Sequence, residues 1–192
     1  MSEPSDPSFG VELGIIPYDR SYWVVPGRLL AGFFPASPDP DETTVKLRAL
    51  LAVGVRHVVN LTEAVEGNHD GLTLLDYEAE LRALADAMQV AVSHQRSAVV
   101  DLGVPTLEQM TAILDAIDHA IGKGKPVYVH CWGGRGRTAT VVGCYLARHG
   151  MAVGERALSM IRYLRRTDAK ADSAAPESRA QKDFVRNWKI GQ

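Results

Sequence analysis

Residues 126–140 read P-V-Y-V-H-C-W-G-G-R-G-R-T-A-T. Val127, Tyr128 and Val129 are the β-branched and aromatic residues of a buried strand, and a helical pattern resumes at Ala139. Between them, His130-Cys131 is followed by Trp132, Gly133, Gly134, Arg135, Gly136, Arg137 and Thr138. Glycine reaches backbone conformations closed to other residues, so successive amides can turn inward around one point. The helix that follows adds the positive end of its dipole. The result is an anion nest with a cysteine at its entrance and an arginine at its exit. Amides, dipole and Arg137 all favour a thiolate at Cys131, which places a nucleophile inside a phosphate cradle.

Outward from this stretch the pattern is that of an α/β chain. Short strands are predicted at 22–25 and 28–32, joined by Pro26-Gly27, and a central strand over 55–61. Helices are predicted over 42–53, with Val45, Leu47, Leu50 and Leu51 as the apolar stripe, and over 78–88. A further helix, 106–121, carries a Thr106/Gln109 capping box and a stripe of Leu107, Met110, Ile113, Leu114 and Ile117. Three more follow, over 139–148, 153–165 and 177–188. Strand pieces at 90–92 and 98–100 flank residues 93–96 without a clear register. Helices between separated strands imply a three-layer αβα domain on a short, mostly parallel or mixed central sheet.

A chain of 192 residues can form one self-sufficient core. Residues 1–14 are expected to be a loose, polar tail and 15–192 a single catalytic domain. With 21 Lys and Arg against 23 Asp and Glu, the charge gives no reason for bulk attraction to nucleic acid. Two cysteines do not make a disulfide framework, so a reducing, cytoplasmic setting is expected. No leader pattern and no membrane-spanning run is read, and a monomer is expected. Cys144, in an apolar helix, reads as core; its other reading is a disulfide partner that protects oxidised Cys131.

His130-Cys131-x-x-Gly134-x-x-Arg137-Thr138 resembles the active-site loop of the cysteine-dependent protein tyrosine phosphatases, and the chain is most similar to their small bacterial-type dual-specificity branch. Further likeness lies in Val25-Pro26-Gly27-Arg28-Leu29, in Leu61-Thr62-Glu63, and in the terminal Pro176-Glu177, Gln181, Phe184-Val185 and Trp188. The resemblance implies that Cys131 attacks phosphorus, Arg137 clamps the phosphoryl oxygens, and Thr138 hydrogen-bonds the sulfur and helps it leave. It implies that His130 supports the loop and that the amides of Trp132, Gly133, Gly134, Arg135, Gly136 and Arg137 bind phosphate. Phosphate ester cleavage also needs a proton for the leaving oxygen. Asp101, in the stretch Ser97-Ala98-Val99-Val100-Asp101-Leu102-Gly103-Val104-Pro105, matches the family's general acid, with Val99 where proline or a bulky residue is frequent. Glu63 or Asp76 would be next in line. Gln181 resembles the glutamine that positions the hydrolytic water.

The activity so implied is metal- and cofactor-independent hydrolysis of phosphomonoesters through a phosphocysteine, on phosphotyrosine in proteins and also on phosphoserine or phosphothreonine. Arg135 leaves a second substrate class open: it is a cation that could favour phosphoinositides or inositol phosphates, or it could point to solvent and pair with an acidic neighbour. Outside this class stand a silent phosphate-binding module, a sulfurtransferase and an arsenate reductase.

Overall fold

Strands β1 (Ser21–Val25), β2 (Leu29–Gly32), β3 (His57–Asn60), β4 (Ser93–Arg96) and β5 (Val127–His130) form one sheet in the order β1-β2-β5-β3-β4. Only β1 runs antiparallel to its neighbour, so the sheet is mixed. Among the described residues the helices are α1 (Pro40–Ala52), α2 (Glu78–Ala87), α3 (Leu107–Gly122), α4 (Arg137–Arg148), α5 (Glu155–Leu164) and α6 (Arg179–Asn187). These elements come from a computed structural model that describes residues 14–67 and 73–192. The expected tail lies almost wholly outside the described residues.

Alternation along the strands divides the core into two layers. Val127 and Val129 join Leu29, Ala31 and Val59 on the side of α3, α4, α5 and α6. Tyr128 joins Leu30, Val58 and Trp23 on the side of α1 and α2. The expected three-layer αβα arrangement is therefore present. Helix α4 is buried from Arg137 to Ala147, which explains why its sequence is apolar on all sides.

Central β5 is hydrogen-bonded on both edges, with His130 level with Gly32 of β2 and with Asn60 of β3. Asn60 is in turn level with Arg96 of β4. The four parallel strands thus end together, and the segments that follow them gather at one end of the sheet. Open α/β sheets bind ligands at such an end.

Three expectations need correction. The fourth strand is Ser93–Arg96, the residues left between the two expected pieces. It is an edge strand paired only with β3, so its Ser-His-Gln-Arg sequence carries none of the apolar signal of a central strand. Val45 and Leu107 are exposed, because each lies off the buried stripe of its helix. Helix α6 starts at Arg179 behind an unforeseen capping box, in which Ser178 Oγ accepts from the Gln181 amide and Gln181 Oε1 accepts from the Ser178 amide.

Candidate active site

Cys131 follows β5 directly and is 2% exposed. The loop it opens turns its carbonyls outward to partners beyond the loop. The Cys131 carbonyl accepts from His130 Nδ1 (3.1 Å), the Trp132 carbonyl from the Phe34 amide (2.9 Å), and the Gly133 carbonyl from Arg20 Nη2 (2.7 Å). The Gly136 carbonyl accepts from both the amide and the hydroxyl of Thr140. Among the described residues no protein acceptor takes the amides of Gly133, Gly134, Arg135 or Gly136. A run of successive amides without a protein partner makes an anion site.

Glycine is required where the loop meets its supports. Gly134 has φ +71°, and a Cβ there would stand 2.8 Å from the Gly32 backbone. A Cβ on Gly136 would meet Glu177 Oε2 at 2.7 Å and the Gln181 amide at 3.0 Å.

His130 is fully buried, and burial depresses its pKa to about 3, which leaves it neutral. A carbonyl can only accept, so Nδ1 carries the proton to Cys131, and Nε2 accepts from the Tyr77 hydroxyl at 2.5 Å. The histidine is thus a strut under the loop, oriented by Tyr77.

Arg137 opens α4 with its guanidinium buried. Nη1 and Nη2 each lie 2.6 Å from an oxygen of Glu66, and Nη1 also donates to the Val99 carbonyl (3.0 Å). Asp101 Oδ1 stands 3.0 Å from Nη2. Burial alone would lower the Arg137 pKa, but the Glu66 hydrogen bonds and the charges of Cys131, Glu66 and Asp101 raise it above the ordinary arginine value. Nε is buried without a partner among the described residues. One edge of the fork is therefore held by Glu66, while the other presents Nε and shares Nη2 with Asp101.

Glu66 was not foreseen. Its carboxylate also takes the Glu63 amide, and Arg96 at the end of β4 donates to the Thr62 and Glu63 carbonyls, which pins the turn that carries it. Glu63 and Asp76, the reserve candidates for the acid, make no ion pair with Arg137 among the described residues.

The remaining expected residues also gather here. The Thr138 hydroxyl is buried and donates to the Gly32 carbonyl at 3.4 Å. Arg135 pairs with Glu177 at 2.6 Å, the acidic neighbour that one of its two readings required. Gln181 is fully buried: its Oε1 accepts the Glu177 and Ser178 amides, and its Nε2 donates to the Gly103 carbonyl, latching the Asp101 loop onto α6. Cys144 is buried in the core, where desolvation pushes its thiol pKa far up. Among the described residues no cluster of His, Cys, Asp and Glu could hold a metal, and no helix is long and apolar enough to cross a membrane.

A family model described as "Swiss Army Knife protein, DSP-PTPase phosphatase domain" matches residues 18–185. The chain belongs to the cysteine-based protein tyrosine and dual-specificity phosphatases. Among curated relatives, the Arabidopsis thaliana phosphatidylglycerophosphate phosphatase PTPMT1 is 39% identical over 61 residues, 32% of this chain and 18% of that one. The chain spans between 18% and 55% of the length of such relatives. Among solved structures, PTPMT1 in complex with PI(5)P aligns with a TM-score of 0.64 and 24% identity, covering 88% of this chain and 94% of that one. The TpbA phosphatase of P. aeruginosa in complex with pTyr aligns with a TM-score of 0.65 and 17% identity, covering 96% and 92%. The cysteine-dependent phosphatase fold, including its small bacterial-type members, accounts for the mixed sheet and its helices.

Proposed function

We propose that this phosphatase hydrolyses phosphomonoesters through a phosphocysteine on Cys131, without a metal. The observation that carries this reading is the convergence on one guanidinium: Arg137 leads out of the loop that Cys131 opens, keeps Nε unpartnered, and holds Asp101 at Nη2. The phosphoryl group takes Nε, Nη2 and the loop amides. Asp101 leaves Nη2 and turns to the ester oxygen. The Cys131 thiolate then attacks phosphorus, the bond from phosphorus to the leaving oxygen breaks, and Asp101 gives that oxygen its proton. Water next attacks the phosphocysteine and yields its proton to Asp101, and the sulfur leaves with the Thr138 hydroxyl as donor. Amides and Arg137 carry the charge that develops on the equatorial oxygens.

For the alcohol half we favour a phospholipid headgroup or inositol phosphate, the class named by the curated PTPMT1 relative and by the PI(5)P complex. Phosphotyrosine in proteins, with phosphoserine or phosphothreonine beside it, is the second reading. It is supported by the aromatic wall that Phe33, Phe34 and Trp132 contribute to a cavity of about 450 Å³ beside the loop, and by the pTyr complex of TpbA.

Phosphate release in EDTA tests both, measured side by side on p-nitrophenyl phosphate, a phosphotyrosyl peptide and phosphatidylinositol 5-phosphate. Release that disappears in C131S and persists in EDTA is expected, with the inositide turned over fastest. A peptide preference would move the second reading to first place. No release from any substrate would return the chain to a silent binder, and sulfur transfer from thiosulfate or arsenate-dependent thiol oxidation would replace phosphatase chemistry altogether.

A further inference from the structure

The cavity beside the loop shares Trp132, Gly133 and Arg135 with it, yet neither Cys131 nor Arg137 lines it. Four cations do: Arg20, Lys46, Arg135 and Lys170. Two of these are compensated, Lys46 by Glu42 at 2.5 Å and Arg135 by Glu177 at 2.6 Å. Arg20 and Lys170 have no carboxylate within 4.0 Å among the described residues. Nearby Asp168 is engaged elsewhere, by Arg165 at 3.0 Å and by the Lys170 amide at 2.8 Å.

Arg20 is held in place at some cost. Its backbone has φ +64°, a left-handed conformation that non-glycine residues seldom adopt outside functional segments. Nη2 donates to the Gly133 carbonyl, the guanidinium lies 4.4 Å over the Phe33 ring, and Nε is buried with no partner. Burial lowers its pKa, the charge of Asp168 opposes that, and the nearby cations Arg135 and Arg165 add to the lowering. Lys46 lies 4.8 Å over the same ring. Lys170 rides on a loop fixed by buried Arg165, which donates to the Lys170 and Ser173 carbonyls.

We propose that this cavity is a second anion subsite, in which Arg20 and Lys170 bind a further phosphate, monoester or diester, on the same substrate whose scissile phosphate lies in the Cys131 loop. The shared loop residues put the two anions on one polyol or headgroup rather than on separate molecules. This rests on the phosphomonoester reading and narrows its substrate to bis-anionic alcohols. A lipid headgroup and a soluble polyphosphate share that chemistry.

The test is calorimetric binding to C131S protein, so that it does not depend on turnover, with p-nitrophenyl phosphate hydrolysis by wild type run separately to judge the phosphatase reading. Probes are myo-inositol 1-phosphate, myo-inositol 1,5-bisphosphate, and phosphatidylcholine vesicles carrying phosphatidylinositol 5-phosphate. Each charge-assisted contact is worth roughly tenfold in affinity. The bisphosphate is therefore expected to bind at least about tenfold more tightly than the monophosphate, and the K170E change to erase that ratio. Lys170 is exposed, so this variant folds; R20Q, measured beside it with a melting curve, should act in the same direction. Tighter binding to the vesicles with the same K170E loss identifies the diester of a lipid, and equal binding of the soluble bisphosphate identifies a free polyphosphate. Equal affinity for mono- and bisphosphate, or a ratio indifferent to K170E, overturns the subsite even if p-nitrophenyl phosphate is hydrolysed.

Discussion

Glu66 grips Arg137 with both carboxylate oxygens, each 2.6 Å from a different guanidinium nitrogen, and the two side chains are 8% and 1% exposed. This pair fixes which edge of the fork is left for phosphate. Removing one member of a buried pair strands the other charge, at about 3–5 kcal/mol. E66A is expected to lose stability on that scale in denaturant titrations. E66Q, which keeps the shape, should lose less stability yet still lower kcat about tenfold or more. A kcat unchanged in E66Q would mean that the Leu61 and Val99 carbonyls orient Arg137 without the Glu66 charge.

Asp101 is the more exposed partner of the same guanidinium. In its proposed role as proton donor it matters in proportion to how poorly the alcohol leaves. D101N should slow hydrolysis of an alkyl phosphate by roughly 10² to 10⁴, with little change for p-nitrophenyl phosphate. Equal slowing of both substrates would mark Asp101 as an Arg137 partner only.

Gly134 allows no side chain. Alanine there would need a left-handed backbone, at about 1–2 kcal/mol, and its Cβ would press on the Gly32 backbone at 2.8 Å. G134A is expected to displace the loop by enough to lower kcat/KM about 10²-fold while the far-ultraviolet circular dichroism stays native. Full activity in G134A would mean that β2 yields to the loop.

Acid should destabilise the fold early. The pKa of His130 falls from 6.5 to about 3 on folding, through burial, and His57 and His94 are also lowered, again chiefly by burial. The unfolded chain therefore binds more protons between pH 6.5 and 3, and stability declines as pH falls through that window. The slope is up to about 1.4 kcal/mol per pH unit for each histidine. Denaturant midpoints at pH 7 and pH 5.5 check this. A flat profile would require His130 to be protonated in the native state.

The sequence exposed the parts of the molecule whose physics is local. β5, the glycine loop and the start of α4 are contiguous, and each obeys a short-range rule: β-branched residues in a buried strand, glycines where amides converge, an apolar helix in the centre. Asp101 could be read only because a family resemblance supplied the distance from Cys131. Glu66 gave no such signal. It reaches Arg137 through a turn pinned by Arg96 from an edge strand, a contact across 71 residues that no periodicity encodes. β4 was obscured for a related reason, since an edge strand needs no apolar alternation. Gln181 shows the limit in another form. A glutamine on a helix carries no signal of burial, yet here it is buried because its amide closes a capping box and latches the Asp101 loop.

The level ending of the parallel strands at Gly32, Asn60, Arg96 and His130 separates two kinds of evolutionary freedom. Cys131 is set by the backbone ladder of the central strand, which cannot drift without unravelling its neighbours. The walls of the mouth come from the segments before β1 and after β2 and from the connection between α5 and α6, which hang from that ladder without being part of it. Substitutions at Phe33 or Lys170 can therefore retarget the proposed activity to new phosphoesters one residue at a time, while the Cys131 loop is inherited intact.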